Sequence, residues 1–179
     1  MSIVDILKEA TPKYELVIPS TGESKTFRPF LVKEEKILLI AKESSDEIVV
    51  MRAVRDLIKS CIEDIGDIEN LPMFDIEYIY LQLRAKSIGE ILTPTLVCPE
   101  TKEKIQLEIN IDDIEIQRDK NHISEVAITD DIILTMKYPS INILEKINKD
   151  KNDTDEKTVP LFHIVVNTID KIETKEESI

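Results

Sequence analysis

Glycine is nearly absent: the 179 residues contain three, with no tryptophan, four tyrosines and four phenylalanines. Three scattered glycines cannot build a glycine-rich phosphate loop, which removes the commonest nucleotide-binding devices. The strong transition-metal ligand types are equally few. Cys61, Cys98, His122 and His163 are dispersed, with no Cys-x-x-Cys or His-x-x-x-His spacing. Cys98-Pro99 resembles half of a zinc knuckle without its second cysteine, and the plain reading is a turn cysteine. Cationic side chains are outnumbered, 23 Lys and Arg against 36 Asp and Glu, for a net charge of -13. A field of that sign repels phosphate backbones and anionic lipid. No apolar run is long enough to span a bilayer, and "MSIVDILKEA" lacks a basic leader, so the expectation is a soluble protein made in the cytoplasm, without a disulfide.

Carboxylates are abundant, yet Asp112-Asp113 and Asp130-Asp131 lack the spacing of a calcium loop and suit turns between strand-like runs. No serine has a nucleophile-elbow context. The sequence therefore assigns no catalytic residue, no cofactor-binding residue and no metal ligand.

What is present is Ile, Lys, Glu and Asp in strongly periodic patterns. "YELVIP" (14–19) and "KTFRPFLV" (25–32) flank "STGES", whose Gly22 suits a turn, and predict a hairpin with Pro29 on an edge strand. A helix is expected from about Lys33. Ser44 to Glu47 has the Ser-x-x-Glu form of a capping box for a second helix, which carries Val50, Val54, Leu57, Cys61 and Ile65 at spacings of three and four. Pro72 starts a third helix, with Ile76, Ile79, Tyr80 and Leu83 on one face and Arg84 and Lys86 near its negative end.

The period then changes to two. Ile105, Leu107, Ile109 and Ile111 alternate with polar neighbours opposite "ILTPTLVC", which predicts a half-buried hairpin. Strand-like pieces follow at 114–117, 124–128 and 132–138, then a short helix in "SINILEKI". The fold class is α+β: an N-terminal β-hairpin, a helical segment, a small antiparallel β-region and a C-terminal helix. The expected organisation is one α+β domain over 1–147, helical over about 33–88 and β-rich over about 91–138. A flexible loop at 148–157, a C-terminal helix at 158–172 packing back, and a disordered tail at 173–179 complete it.

"FRPFLVKEEKILLIAKE" (27–43) is the least ordinary stretch. Its helix is apolar almost all round, which reads as burial on several sides, either inside the domain or under another chain. Phe27, Arg28, Phe30, Lys33 and Lys36 are the candidate partner-contact residues, with Phe30 as anchor.

Three segments, "FRPFLVKEEKILLIAKES", "LPMFDIEYIYLQLRAKSIGE" and "MKYPS", together resemble the baseplate hub assembly protein family of T-even-type contractile-tailed bacteriophages, over about Phe27 to Ser140. The resemblance implies a non-enzymatic late protein of tail morphogenesis, a hub assembly factor or hub subunit. It would act in the host cytoplasm and the virion baseplate through contacts with other baseplate hub or tail proteins, the tape-measure protein among the candidates. It implies no cofactor, and the net charge sets the expectation of no nucleic acid and no membrane among the partners. It also draws attention to charged residues within its motifs: Arg28, Lys33, Glu34, Glu35 and Lys36, then Asp75, Glu77, Arg84 and Lys86, then Lys137. Such residues suit ion pairing inside the fold or across an interface. Two rival readings stay open: a nucleic-acid-associated phage protein using Lys33, Lys36, Lys42, Arg52 and Arg55, and an enzyme with an unrecognised site.

Overall fold

The computed structural model describes residues 11–117, 119–146 and 160–174. The fold is α+β. Contacts gather the described residues into two compact units, one through Gly66 and again over Phe74–Ile116, the other over Asp67–Met73 and from Gln117 onward. A single domain over 1–147 was expected. The β-rich part does not form one sheet: its first strands pair among themselves, while the later ones pair with a C-terminal strand.

In the first unit, β1 (Tyr14–Val17) and β2 (Ser24–Phe27) form the expected antiparallel hairpin, Tyr14 opposite Phe27. Gly22 takes φ +73° in its turn and donates its N–H to the Ile18 carbonyl, a conformation that costs an L side chain. β2 stops before Pro29. Phe27 forms a bridge with Ile62, and Arg28 donates its N–H to the Cys61 carbonyl, so the chain after the hairpin lies along the end of the second helix.

The helices of this unit are α1 (Val32–Glu43), α2 (Glu47–Cys61) and α3 (Met73–Ser87). Asp46, not Ser44, caps α2: its carboxylate accepts the Ile48 N–H at 2.9 Å. Ser44 instead turns its hydroxyl onto the Ala41 carbonyl at 2.6 Å and finishes α1, and Ser45 at φ +56° makes the corner. Ala53, Leu57, Ile58 and Cys61 form the buried side of α2, and Ile76, Ile79 and Leu83 that of α3. With Leu16, Ile18, Phe27, Phe30 and Ile111 they are the apolar core of the unit.

The same unit carries four short strands: β3 (Ile91–Leu92), β4 (Thr95–Val97), β5 (Lys104–Gln106) and β6 (Ile109–Asn110). β3 pairs with β6 and β4 with β5, both antiparallel. The half-buried hairpin expected here is corrected in one respect. Only Ile111, beyond the last strand, is buried, while Ile105, Leu107 and Ile109 are exposed.

The second unit contains a three-stranded antiparallel sheet in the order β7 (Glu125–Thr129), β8 (Ile132–Met136), β9 (Ile169–Thr174), and a helix α4 (Pro160–Asn167) leading into β9. Residues 141–146 are helical, as expected. Pro72 bridges Ser140, and Met73 donates its N–H to the Pro139 carbonyl. The helix expected over 158–172 ends at Asn167, where the Thr168 hydroxyl binds the Ile164 and Val165 carbonyls, and 169–174 is strand. Of the tail expected over 173–179, Glu173 and Thr174 are in β9 and the rest lies outside the described residues. Residues 114–117, expected as a strand, are not one. The loop expected at 148–157 lies outside the described residues.

Candidate partner-contact surface

The stretch 27–43 is built around one ion pair. Arg28 sits where the chain leaves β2, and Glu34 is the third residue of α1. The guanidinium meets the carboxylate with both nitrogens, at 3.2 and 2.7 Å, and donates to the carbonyls of Pro29 at 2.9 Å and Ser60 at 2.8 Å. Glu34 also accepts the Leu31 N–H at 2.6 Å and the Ser60 hydroxyl at 3.3 Å. One carboxylate thus caps α1 from its third position and ties the helix start to the end of α2. Burial pushes the Glu34 carboxyl up, but the bonds from Arg28 and Leu31 and the charges of Arg28 and Lys33 outweigh it, so its pKa lies below the ordinary value. The bond to Glu34 correspondingly raises Arg28.

The two aromatics expected at the contact are inside. Phe27 is 2 % exposed, with its ring tilted against Tyr14 at 5.6 Å, and Phe30 is 7 % exposed, its N–H bound to the Ser87 hydroxyl at 2.9 Å. Neither is an available anchor in this chain. The partners are local to the unit: Phe27 ends β2 beside Tyr14 and bridges Ile62, and Phe30 is tied to Ser87 of α3. Arg28 is itself engaged on four sides. Of the five candidates, Lys33 and Lys36 alone are exposed.

The helix expected to be covered on several sides turns one broad side to solvent. At 100° per residue, Glu34 and Ala41 occupy the inner line and are its buried residues. The opposite line holds Val32, Lys36, Leu39 and Ile40, with Val32 80 % and Leu39 and Ile40 57 % exposed. Ile37 flanks them. Sequence reasoning missed these positions because an all-round apolar helix has no polar side to mark its orientation.

Beside the clip lies a cleft of about 430 Å3 lined by Thr11, Lys13, Lys33, Ser60, Cys61 and Glu63, among others. Its chemistry is poor. Cys61 is the one thiol there, and burial pushes it up, away from the thiolate a nucleophile needs. Among the described residues, no three His, Cys, Asp or Glu side chains are placed to share a metal ion. No described helix is long and apolar enough to cross a membrane.

The polar residues of the three segments that carry the resemblance are used largely within the fold. Besides Arg28 and Glu34, Asp75 is completely buried and accepts both the N–H and the hydroxyl of Ser20. Ser87 receives Phe30, Arg84 donates to the Gly89 carbonyl at 2.7 Å, and Lys86 binds Glu90 at 2.6 Å. In the other unit, Lys137 pairs with Asp170 at 3.2 Å.

The model of a family described as T4 bacteriophage base plate protein matches residues 11–179. No curated protein and no solved structure matches the chain.

Proposed function

Because the chain belongs to the T4 bacteriophage base plate protein family, we propose that its part in the phage baseplate is at the central hub, as an assembly factor or a subunit that works through protein contacts and not by catalysis. Other tail and baseplate proteins are its partners in this reading, the tape-measure protein among them, met in the host cytoplasm during assembly.

One observation carries the contact reading: the solvent side of α1 is apolar at Val32, Leu39 and Ile40, with Lys36 among them and Lys33 at its margin. Contiguous exposed apolar side chains rimmed by charge mark contact surfaces more often than scattered ones do. The Arg28 to Glu34 clip gives this side a fixed orientation without taking part in the contact.

The test is Leu39→Glu with Ile40→Glu in a tagged chain produced during infection. We expect the variant to unfold at the same urea concentration as the parent and to lose its hub proteins on copurification. Undiminished recovery of those proteins would refute the α1 surface. Counting the chain in purified particles by mass spectrometry separates the two roles, since a subunit is recovered stoichiometrically and an assembly factor is not.

A further inference from the structure

We propose that the ribbon from β3 to β6 is a docking arm whose apolar face is covered by a basic protein of the same assembly, which also extends its ladder. The inference rests on the baseplate reading above and names a second surface and the chemistry of its occupant.

The register is continuous along the ribbon. Leu92 stands opposite Ile109 and Leu96 opposite Ile105, and between them Leu107 donates its N–H to the Pro94 carbonyl. Side chains alternate across a strand, so Leu92, Leu96, Ile105, Leu107 and Ile109 share one face, while Thr95, Lys104, Gln106 and Glu108 share the other with Ile91 and Val97 at its ends. That patterning is of a sheet with one face packed, yet Leu96 is 51 %, Ile105 49 % and Leu107 42 % exposed. Two strands alone are marginal in water. Among the described residues neither β4 nor β5 has a second strand beside it, so both outer edges are open to one.

Charge selects the occupant. Lys86 holds Glu90 at 2.6 Å and reaches Asp112 at 3.7 Å. Glu100, Glu103, Glu108, Asp113 and Glu115 then stand against Lys102 and Lys104 on a chain of net charge -13. A second copy would bring the same acidic rim against this one. A basic partner meets the rim with opposite charge, and one that adds a strand gains the open edge as well.

The experiment places a photo-crosslinking amino acid at Leu96, and separately at Leu39 on α1, in the full chain made together with the phage's baseplate proteins. We expect the Leu96 adduct to contain one basic baseplate protein, and the uncrosslinked complex to weaken as salt is raised. Leu96→Thr with Ile105→Thr should reduce affinity for that protein at least tenfold with an unchanged urea midpoint. An adduct with a second copy, or early unfolding of the double variant, would overturn the proposal, the latter because it means the face is covered within the chain. A baseplate adduct at Leu39 but none at Leu96 defeats the arm and leaves the function standing. Absence of a baseplate protein at both positions defeats both.

Discussion

Arg28 and Glu34 are worth more as a pair than either is as a surface charge, because Glu34 is 8 % and Arg28 21 % exposed. Replacing Arg28 by Met leaves a buried carboxylate facing only the Leu31 N–H and the Ser60 hydroxyl. We expect a loss of about 3 kcal/mol, the low end for breaking a buried pair from one side, and a smaller loss when Glu34→Leu is added. Urea titration of the two variants checks both. Phe30 belongs to the same local construction. Phe30→Ala should cost about 3 to 5 kcal/mol in stability, while the fraction still folded recovers partners normally. An intact unfolding curve with lost partners would return Phe30 to the contact surface.

Two buried carboxyls respond to pH in opposite directions. Glu34 has a folded pKa below its unfolded value, so it contributes stability above the unfolded value and loses it as pH falls through the folded one. For Asp75, burial raises the folded pKa despite the two bonds from Ser20. Its contribution is greatest in acid and declines as pH rises from the unfolded to the folded value. Asp75→Asn keeps an acceptor for the Ser20 N–H and should remove that decline, while Glu34→Gln removes the loss on the acid side. Urea midpoints across the acidic range up to neutrality read both, and parallel pH curves for parent and variants would contradict them.

Among the elements, those with a polar side were legible in the sequence. The hairpin at Gly22, the burial of Leu57 and Cys61 on α2 and the start of α3 after Pro72 appear where periodicity and turn chemistry put them, although α2 ends at Cys61, short of Ile65, and its inner side is centred on Ala53, Leu57 and Ile58 rather than Val50 and Val54. Alternation at 105–111 correctly announced strands but not what lies over them, because a period of two says only that one face is apolar. The C-terminal segment failed differently. Leu161, Phe162, Val165, Ile169 and Ile172 fit a helical spacing, yet Ile169 to Thr174 pair with β8, a nonlocal gain that no local pattern contains. At the candidate surface, Lys33 and Lys36 are exposed, whereas Phe27 and Phe30 are buried, because which side of a hairpin and of the chain after it faces the core depends on nonlocal packing that no local pattern contains.

The contrast between α1 and α2 can be measured. Leu57 is buried on α2, and Leu57→Asp puts an unpaired charge into the core, at a cost of several kcal/mol. Ile40 faces solvent on α1, and Ile40→Asp should stay within about 0.5 kcal/mol of the parent. Comparable losses at both positions in thermal unfolding would mean that α1 is covered within the chain.

For the whole molecule, net charge and exposed apolar faces oppose each other. Thirteen net negative charges keep free copies apart at low ionic strength, while Leu39 and Ile40 on α1 and Leu96 and Ile105 on the ribbon attract apolar surface of any origin. Salt acts on only one side of this balance. The Debye length shrinks from about 30 Å at 0.01 M to about 3 Å at 1 M, so charge repulsion between copies fades while apolar attraction persists. We therefore expect the isolated chain to sediment as a monomer at low salt and to self-associate as salt rises, with the Leu39→Glu, Ile40→Glu variant shifting the onset to higher salt. The complex with a basic partner should behave in the reverse sense and dissociate, because there the rim charges attract. Sedimentation velocity over one salt series, run on the free chain and on the complex, reads both trends. Self-association of the free chain that weakens with salt would show that contacts between copies are ionic, and would remove the apolar faces as their cause.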